Sequence, residues 1–256
     1  SRSLARLRQA LGDPLLTPVG RDLVPTSRAL DLMPELDDIL RRITQLSNPA
    51  VFDPCRSERA FRIACTDYEI TTLLVPLVQQ LRESAPGVSL HLLNGGDLGV
   101  GGLENKVAEL ALLSPEGTFL WAKRKLLLRE SFLTLLPKSA LPLTKDRCLN
   151  LHHVVLATGE PEPNPVDAGL SQHQRHIACR TRSFASAIEL ACAAHWAFNV
   201  PARLIERMQL PQHMCVMKPV IDVPDFEVAM YWHTQTDKDP GLQWLRGAIA
   251  ALASSI

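Results

Sequence analysis

The chain has 256 residues, of which 46% are hydrophobic and 21% charged, enough for one large domain or two ordinary ones with a substantial core. No apolar run approaches the roughly 20 residues that cross a bilayer, so a membrane span is excluded. The formal net charge is zero, yet the first 28 residues hold five arginines and two aspartates, a local charge of +3. Such a basic head on a mildly acidic body is typical of a chain that contacts nucleic acid at one end.

The six cysteines lie far apart and form no CxxC pair. This spacing argues against a zinc ribbon or a redox motif and fits a reducing compartment. The first residues, SRSLARLRQ, are basic and amphipathic but lack the apolar centre of a secretory signal. We therefore expect a cytoplasmic protein.

Three elements are predicted before residue 48. Leucines at helical spacing predict a helix over residues 2–11 that stops at Gly12. The segment LLTPVGRDLVPT predicts a small hairpin, or wing, that turns at Gly20. From residue 26 to about 46, a long helix kinked by Pro34 is predicted, with an apolar stripe that needs a partner helix. The stripe consists of Leu30, Met33, Leu36, Leu40 and Ile43; packing on its own domain is the alternative.

Beyond a linker in SNPAVFDPCRSER, strands and helices alternate. FRIAC, GVSLHLL and AELALL predict three parallel strands, joined by a helix from Ile70 to Leu81 and a second helix near Leu103. Two more strands are predicted in WAKRKLLLRESFLTLLP, and a second lobe from HHVVLAT through MCVMKPV. EVAMYWHT and a closing helix capped by Asp239 follow. This alternation indicates an α/β fold.

No motif for catalysis or metal binding stands out. The glycines of NGGDLGVGGLE fit neither common phosphate-loop pattern, so this segment is predicted to be a flexible loop. The pairs His152/His153 and His173/His176 lack acidic or cysteine partners at ligand spacing and are interpreted as solvated or satisfied side chains. We expect no catalytic residue, no metal and no cofactor.

The sequence Thr66-Asp67-Tyr68-Glu69 lies between a predicted strand and a predicted helix and has the spacing of a capping box. A helix start at the carboxyl end of a parallel strand is also where α/β folds bind ligands. The stretch 181–183 offers a comparable start, so two facing helix starts would form a cleft. The two acidic residues disfavour a strongly anionic ligand unless Arg180 or Arg182 lies opposite.

In their order along the chain, these segments are similar to those of LysR-type transcriptional regulators. ARLRQALGDPLLTPVGRDLVPTSRAL resembles the end of the family's recognition helix, the wing and the start of its linker helix. FRIACTDYEITTLLVPLVQQLRESAPGVSLHLL resembles the opening of the effector-binding domain. YWHTQTDKDPGLQWLRGAI resembles the subgroup of nodulation and aromatic-catabolism regulators. The resemblance covers nearly the whole chain.

The resemblance implies a partial winged helix-turn-helix in residues 1–25, a dimerising linker helix in 26–48, a hinge linker in 49–59 and an effector-binding domain in 60–256. That domain would resemble two-lobed periplasmic binding proteins, with lobe I at about 60–145 and 222–256 and lobe II at about 146–221. Family members bind promoter DNA as homodimers or homotetramers, and a small-molecule co-inducer in the cleft changes the geometry of the DNA-binding heads. RNA polymerase is a further partner that the family allows.

The resemblance also implies two sets of site residues. The residues expected to contact promoter DNA lie in the recognition helix and the wing; they are Ser1, Arg2, Ser3, Arg6, Gly20 and Arg21. The residues expected to contact the effector form three groups. Lobe I contributes Thr66, Asp67 and Tyr68, and lobe II contributes Thr158, Ser183, Phe184 and Asn199. Ser114, Phe132 and His233 lie near the crossover strands.

The sequence departs from the family pattern at three points. The family has two further helices before the position of Ser1, and the recognition helix lacks its scaffold without them, so the chain as given is expected to bind DNA poorly. Pro18 stands where a basic wing residue is usual. His195 stands where many members have glycine, either as a packed side chain or as a pocket residue.

Two other classes of protein compete with a DNA-binding transcriptional regulator. A solute-binding protein uses the same two lobes, but it needs export and leaves the arginine-rich head unexplained. An enzyme on this fold needs a nucleophile, a metal set or an acid/base pair, and none is evident. The expected function is therefore effector-dependent regulation of transcription.

Overall fold

The computed structural model describes residues 2–47, 52–115, 117–157, 175–206 and 208–256, with side chains up to residue 40 in the first range. The chain divides into two compact units, Ser1–Val51 and Phe52–Ile256. None of the described helices combines the length and the apolar character that a membrane span requires.

The first unit is a helix, a hairpin and a long helix, as predicted. Asp13 connects them, because its carboxylate accepts hydrogen bonds from the Leu15 amide (2.6 Å) and the Thr26 hydroxyl (2.7 Å). Gly20 has a φ of +63°, which a two-residue hairpin turn needs at its first position. The elements are α1 (Arg2–Leu11), β1 (Leu16–Val19), β2 (Asp22–Pro25) and α2 (Ser27–Ser47), with Pro34 inside α2.

In the part of the first unit whose side chains are described, the apolar stripe of α2 is about half-exposed. Leu30, Met33, Leu36 and Leu40 each expose about half of their surface, between 47% and 58%. This exposure favours a partner helix over the alternative that the stripe packs on its own domain. The side chain of Ile43 lies outside the described residues.

The second unit contains ten described strands and seven described helices. The strands are β3 (Ala60–Cys65), β4 (Ser89–Asn94), β5 (Leu110–Leu113), β6 (Ala122–Glu130), β7 (Phe132–Pro137), β8 (His152–Leu156), β9 (His176–Thr181), β10 (Phe198–Pro201), β11 (Met214–Met217) and β12 (Phe226–His233). The helices are α3 (Asp67–Glu69, a π-helical turn Ile70–Leu74, then Val75–Ser84), α4 (Gly95–Leu98), α5 (Gly101–Glu104), α6 (Lys145–Leu149), α7 (Phe184–Ala194), α8 (Ala202–Ile205) and α9 (Pro240–Ala253).

Lobe I is built on a five-stranded sheet in the order β4-β3-β5-β12-β6. β3 pairs in parallel with β4 and β5, as predicted, whereas β12 pairs antiparallel with β5 and β6. Helices α3 and α9 cover one face of the sheet through Leu73, Leu77, Leu242 and Leu245. The short helix α5 covers the other face through Leu103.

Lobe II is built on β10-β7-β11 and on the parallel pair β8-β9. The two sheets join where His153 bridges Ala197, with the Val154 amide donating to the Ala197 carbonyl at 2.9 Å. Helix α7 packs on one face through Ala187, Ile188 and Ala191. Because β8, β9 and β10 run in one direction, their carboxyl ends lie on the same edge of the lobe, next to the start of β7.

The chain crosses between the lobes earlier than the sequence prediction placed it. β6 ends at Glu130 in the sheet of lobe I, and β7 begins at Phe132 in the sheet of lobe II. The predicted boundary at about 145 is therefore wrong, since only Ser131 separates the two strands. β6 is rich in charged residues and β7 is apolar, but Ser131 between them gives no turn signal that would mark a change of sheet. The return crossing lies between Met217 and Phe226.

The later part of the predicted hinge linker, residues 52–59, packs on lobe I. The Phe52 ring packs at a tilt against Trp244, with 5.0 Å between ring centroids, and lies 6.0 Å from the Phe61 ring. Arg59 pairs with Asp239 (2.7 Å) and Glu109 (2.9 Å). Residues 52–59 are thus part of the second unit, because an aromatic side chain and a doubly paired guanidinium hold them on lobe I.

The glycine-rich segment after β4 is not the flexible loop that was predicted, because it forms α4 and α5. Gly95 is buried at the start of α4, where a Cβ atom would come within 2.8 Å of the Cys65 amide nitrogen. A glycine is therefore needed for the close approach of α4 to the end of β3.

Candidate functional site

An open cleft of about 360 Å³ lies where the carboxyl ends of the lobe I strands face those of lobe II. Side chains after β3, along β4 and after β9 line it, as expected for ligand sites in α/β folds. The lining residues are Cys65, Thr66, Asp67, Ile70, Leu92, Leu93, Asn94, Thr181, Arg182 and Ser183. We refer to this space as the cleft.

The predicted capping box forms the lobe I side of the cleft. The Thr66 hydroxyl accepts the Tyr68 amide at 3.3 Å, and the Glu69 carboxylate accepts the Thr66 amide (2.8 Å) and hydroxyl (2.6 Å). Glu69 is buried, with 3% of its surface exposed. Burial raises its pKa to about 7, and the hydrogen bonds from Thr66 only partly oppose this shift.

The Asp67 carboxylate spans the cleft from lobe I to lobe II. Its Oδ2 accepts hydrogen bonds from the Ser183 hydroxyl at 2.8 Å and from the Ala185 amide at 2.9 Å. Ser183 is also the N-cap of α7, since its hydroxyl accepts the Ser186 amide. We call these two contacts of Asp67 the Asp67 bridge.

A second contact between the lobes lies beside the first. Arg182 of lobe II forms an ion pair with Asp97 of lobe I. Asp97 in turn accepts a hydrogen bond from the Asn94 side chain at 2.7 Å. The positive charge of Arg182 is therefore compensated by Asp97 and does not face Asp67 as a free cation.

A buried polar cluster lies beneath the cleft at the first crossing. The Tyr68 hydroxyl donates to Glu130 at 2.5 Å, and Arg203 of lobe II pairs with the same carboxylate at 3.2 Å. Tyr68 is fully buried, so it does not line the cleft as expected. Burial and the hydrogen bond to Glu130 raise the pKa of Tyr68, which keeps its hydroxyl protonated and donating.

Two predicted phenylalanines belong to an aromatic core around the crossing and do not line the cleft. Phe132 packs on Phe226 with 5.1 Å between ring centroids, and Phe184 lies 6.0 Å from the Tyr68 ring. Both phenylalanines are buried. Their role in the described structure is to join the two lobes by apolar contact.

Three other predicted effector residues are scattered. Ser114 is exposed directly after β5, at the edge of the sheet that carries Thr66. Asn199 accepts a hydrogen bond from Thr134 at 2.9 Å, two residues inside lobe II from the edge. His233 lies at the opposite edge of lobe I beside Trp121, because β12 runs antiparallel to β3 and β5. His233 pairs with Ala122 of β6, the strand that leads into the crossing, but at the end of that strand remote from the cleft. Thr158 lies outside the described residues.

His195 lies at the end of α7 that is remote from the cleft. Its φ of +57° is the left-handed conformation that glycine favours, so the backbone matches the family's usual glycine. Its ring stacks on His213 with 4.4 Å between centroids. The eleven residues of α7, about 16 Å of helix, separate it from Ser183, which argues against a pocket role.

The described residues among those predicted to contact DNA are all exposed. Arg2, Ser3 and Arg6 are exposed on α1 and fall within about 100° around its axis. Gly20 and Arg21 are exposed at the tip of the hairpin. Ser1 lies outside the described residues.

The sequence analysis did not name several cleft residues, among them Asn94 and Leu92 on β4. The rule that located Thr66 would have found Asn94, since both follow or end a parallel strand. Among the described residues, no three His, Cys, Asp or Glu side chains are placed to hold a metal ion. His153 is buried and lies 2.8 Å from the Cys148 carbonyl.

Comparison with known proteins places these features in context. Residues 56–254 match the family model described as LysR substrate binding domain. The HTH-type transcriptional regulator SyrM of Rhizobium meliloti strain 1021 is 30% identical, over 100% of this chain and 80% of SyrM. The HTH-type transcriptional activator NagR of a Ralstonia species is 28% identical, over 99% and 87%. The crystal structure of the probable transcriptional regulator PA0477 from Pseudomonas aeruginosa matches with a TM-score of 0.68 at 25% identity, over 98% of this chain and 86% of that one.

Proposed function

Because the chain belongs to the LysR family of transcriptional regulators, we propose that it binds promoter DNA and that a small-molecule effector in the cleft modulates its action on transcription. The family membership and the two-lobed α/β architecture expected from the sequence are confirmed. The alternative of a solute-binding protein is not supported, since the relatives are HTH-type regulators. We propose no catalytic role and a cytoplasmic location, where promoter DNA is found.

The Asp67 bridge is the observation that carries the effector role. It connects Thr66-Asp67 of lobe I to the start of α7 in lobe II across the cleft. A ligand in the cleft contacts both lobes beside this bridge, so its affinity depends on how the lobes are arranged. Unequal binding to two conformations is the physical requirement for a ligand to shift a regulator between states.

We expect DNA binding by the complete gene product to depend on the exposed cations of α1 and the hairpin. The double substitution Arg6→Ala/Arg21→Ala removes two cations and should weaken binding to the gene's own promoter region by about tenfold or more. It should also lower the slope of log affinity against log salt by about 2, because fewer counterions are released. A mobility-shift series over salt concentration measures both.

The matched control removes two exposed cations of the second unit, in Arg82→Ala/Lys145→Ala. This variant should bind DNA as the unaltered protein does. Equal losses in both variants would show that total charge, and not the helix and hairpin, determines binding. Binding that does not respond to salt in any variant would contradict the DNA-binding role.

We further propose that two copies pair through α2. Its half-exposed apolar side chains gain by leaving water, and a second α2 offers a complementary stripe. The substitution Leu36→Glu/Leu40→Glu should convert the dimer to a monomer and weaken self-association at least about hundredfold, since unpaired charges would be buried. Light scattering coupled to size exclusion measures the molar mass.

The control for this experiment is Arg28→Glu, which lies on α2 away from the stripe and changes the charge by the same two units. It should remain dimeric. Dimers in both variants would contradict pairing through α2.

Two further contacts complete the proposed set of partners. A homotetramer would add contacts through lobe I, where Val78 and Leu92 are exposed. RNA polymerase is the other proposed partner.

A further inference from the structure

The Asp67 carboxylate occupies the place in the cleft where an anion would bind best. Helix α7 has eleven residues, and its first turn presents the positive end of the helix dipole and amide groups that have no partner within the helix backbone. Asp67 accepts the Ala185 amide of that turn and the Ser183 hydroxyl that caps it. A carboxylate of the chain itself, from the opposite lobe, is thus already bound there.

The charge of the cleft leaves no second place for an anion. Among the described lining residues, the charged side chains are Asp67 and Arg182. Arg182 is paired with Asp97, which Asn94 also holds. With this pair neutral as a whole, the cleft retains the negative charge of Asp67, and a second carboxylate would lie against it in a partly desolvated space.

The rest of the lining favours an apolar ligand that donates hydrogen bonds. Ile70, Leu92 and Leu93 supply apolar surface. The Oδ1 atom of Asp67 is buried and has no hydrogen-bond partner among the described residues. Where ligand entry uncovers this oxygen, an N–H or O–H group of the ligand satisfies it, and a carboxylate offers neither.

We propose that Asp67 sets the charge selectivity of the cleft, which takes an uncharged effector with an apolar body and N–H or O–H donors and rejects carboxylates. This inference rests on the proposed effector role of the cleft. It differs from that role, because it states which chemical class is bound and which residue decides.

Matched acids and amides test this selectivity, because the two members of a pair differ mainly in charge and donors. We would measure benzoate with benzamide, cinnamate with cinnamamide and indole-3-acetate with indole-3-acetamide by saturation-transfer NMR on the complete gene product. The unaltered protein should prefer the amide of a bound pair by about tenfold or more. The Ala185 amide resonance should shift on binding, which locates the ligand at the bridge.

The variant Asp67→Asn removes the charge but keeps an acceptor for Ser183 and Ala185, so the bridge and the fold should survive. Its preference for the amide should disappear, through tighter binding of the acid. The control Glu83→Gln makes the same charge change on an exposed side chain of α3 and should leave the preference unchanged.

The outcomes separate this inference from the proposed function. Acids that bind the unaltered protein as tightly as their amides, with no change in Asp67→Asn, would overturn the charge selectivity and leave the effector cleft standing. Pairs of which neither member binds either protein would overturn both.

Discussion

The substitution Glu130→Ala is expected to destabilise the protein by about 3 kcal/mol. Glu130 is 1% exposed and is the acceptor for Tyr68, for Arg203 and for the Ser131 amide at 2.9 Å. Its loss leaves the buried Tyr68 hydroxyl without an acceptor and the partly buried Arg203 guanidinium without its counter-ion. Removing one partner of a buried cluster costs more free energy of folding than replacing the whole cluster by apolar groups. The expected loss is at the lower end of the usual range because Arg203 keeps 29% of its side chain exposed. Urea unfolding at neutral pH measures it.

Three variants test whether the cost comes from the cluster. Glu130→Gln keeps an acceptor and should cost less than Glu130→Ala. Tyr68→Phe removes only the donor and should cost about 1–2 kcal/mol. The neighbouring pair of Arg129 and Glu227 is exposed, so Glu227→Ala should cost less than about 1 kcal/mol. A Glu130→Ala variant as stable as Glu227→Ala would refute the structural role of the cluster.

Glu69→Gln is expected to stabilise the protein at pH 8 by about 2–3 kcal/mol and to have little effect at pH 4.5. Burial raises the pKa of Glu69 to about 7 from 4.5, so the folded protein holds a proton there that the unfolded chain releases. The stability of the unaltered protein therefore falls as pH rises from about 4.5 through 7, by about 1.4 kcal/mol for each pH unit between these two pKa values. Glutamine removes this titration and still completes the capping box with Thr66.

Denaturant unfolding of both proteins across this pH range measures the effect, because the difference between their free energies of unfolding should increase with pH. The exposed Glu83→Gln substitution on α3 serves as the control and should show a constant difference near zero. A Glu69→Gln variant that loses stability at pH 8 would show that ionised Glu69 is stabilising, and that its hydrogen bonds from Thr66 outweigh burial.

The fold was largely predictable where a local pattern carries the information. Gly12 and Asp239 marked the end of α1 and the start of α9, and both marks agree with the structure. The capping box from Thr66 to Glu69 was predicted from four adjacent residues and is present with all its hydrogen bonds. Such features depend on residues within one helical turn, which a sequence displays directly.

The candidate site was predictable only in part, because its chemistry depends on contacts between distant residues. The sequence rule for parallel strands brought Thr66, Asp67 and Ser183 to one cleft. The same rule could not show that Tyr68 turns into the core or that His233 lies at the far edge. Each of these depends on the direction of a neighbouring strand or on the face of a helix that packs inward.

The order of the elements, their caps and the exposed apolar stripe of α2 follow from the sequence alone, since each is encoded within a few neighbouring residues. Only the tertiary structure decided the crossing at Ser131, the Asp67 bridge and the Glu130 cluster. Asp67 meets Ala185 across 118 residues of chain, and Tyr68 meets Glu130 across 62. Periodicity reports which face of an element is apolar, but the partner of a polar group across the cleft is selected by packing and by the need to satisfy buried charge.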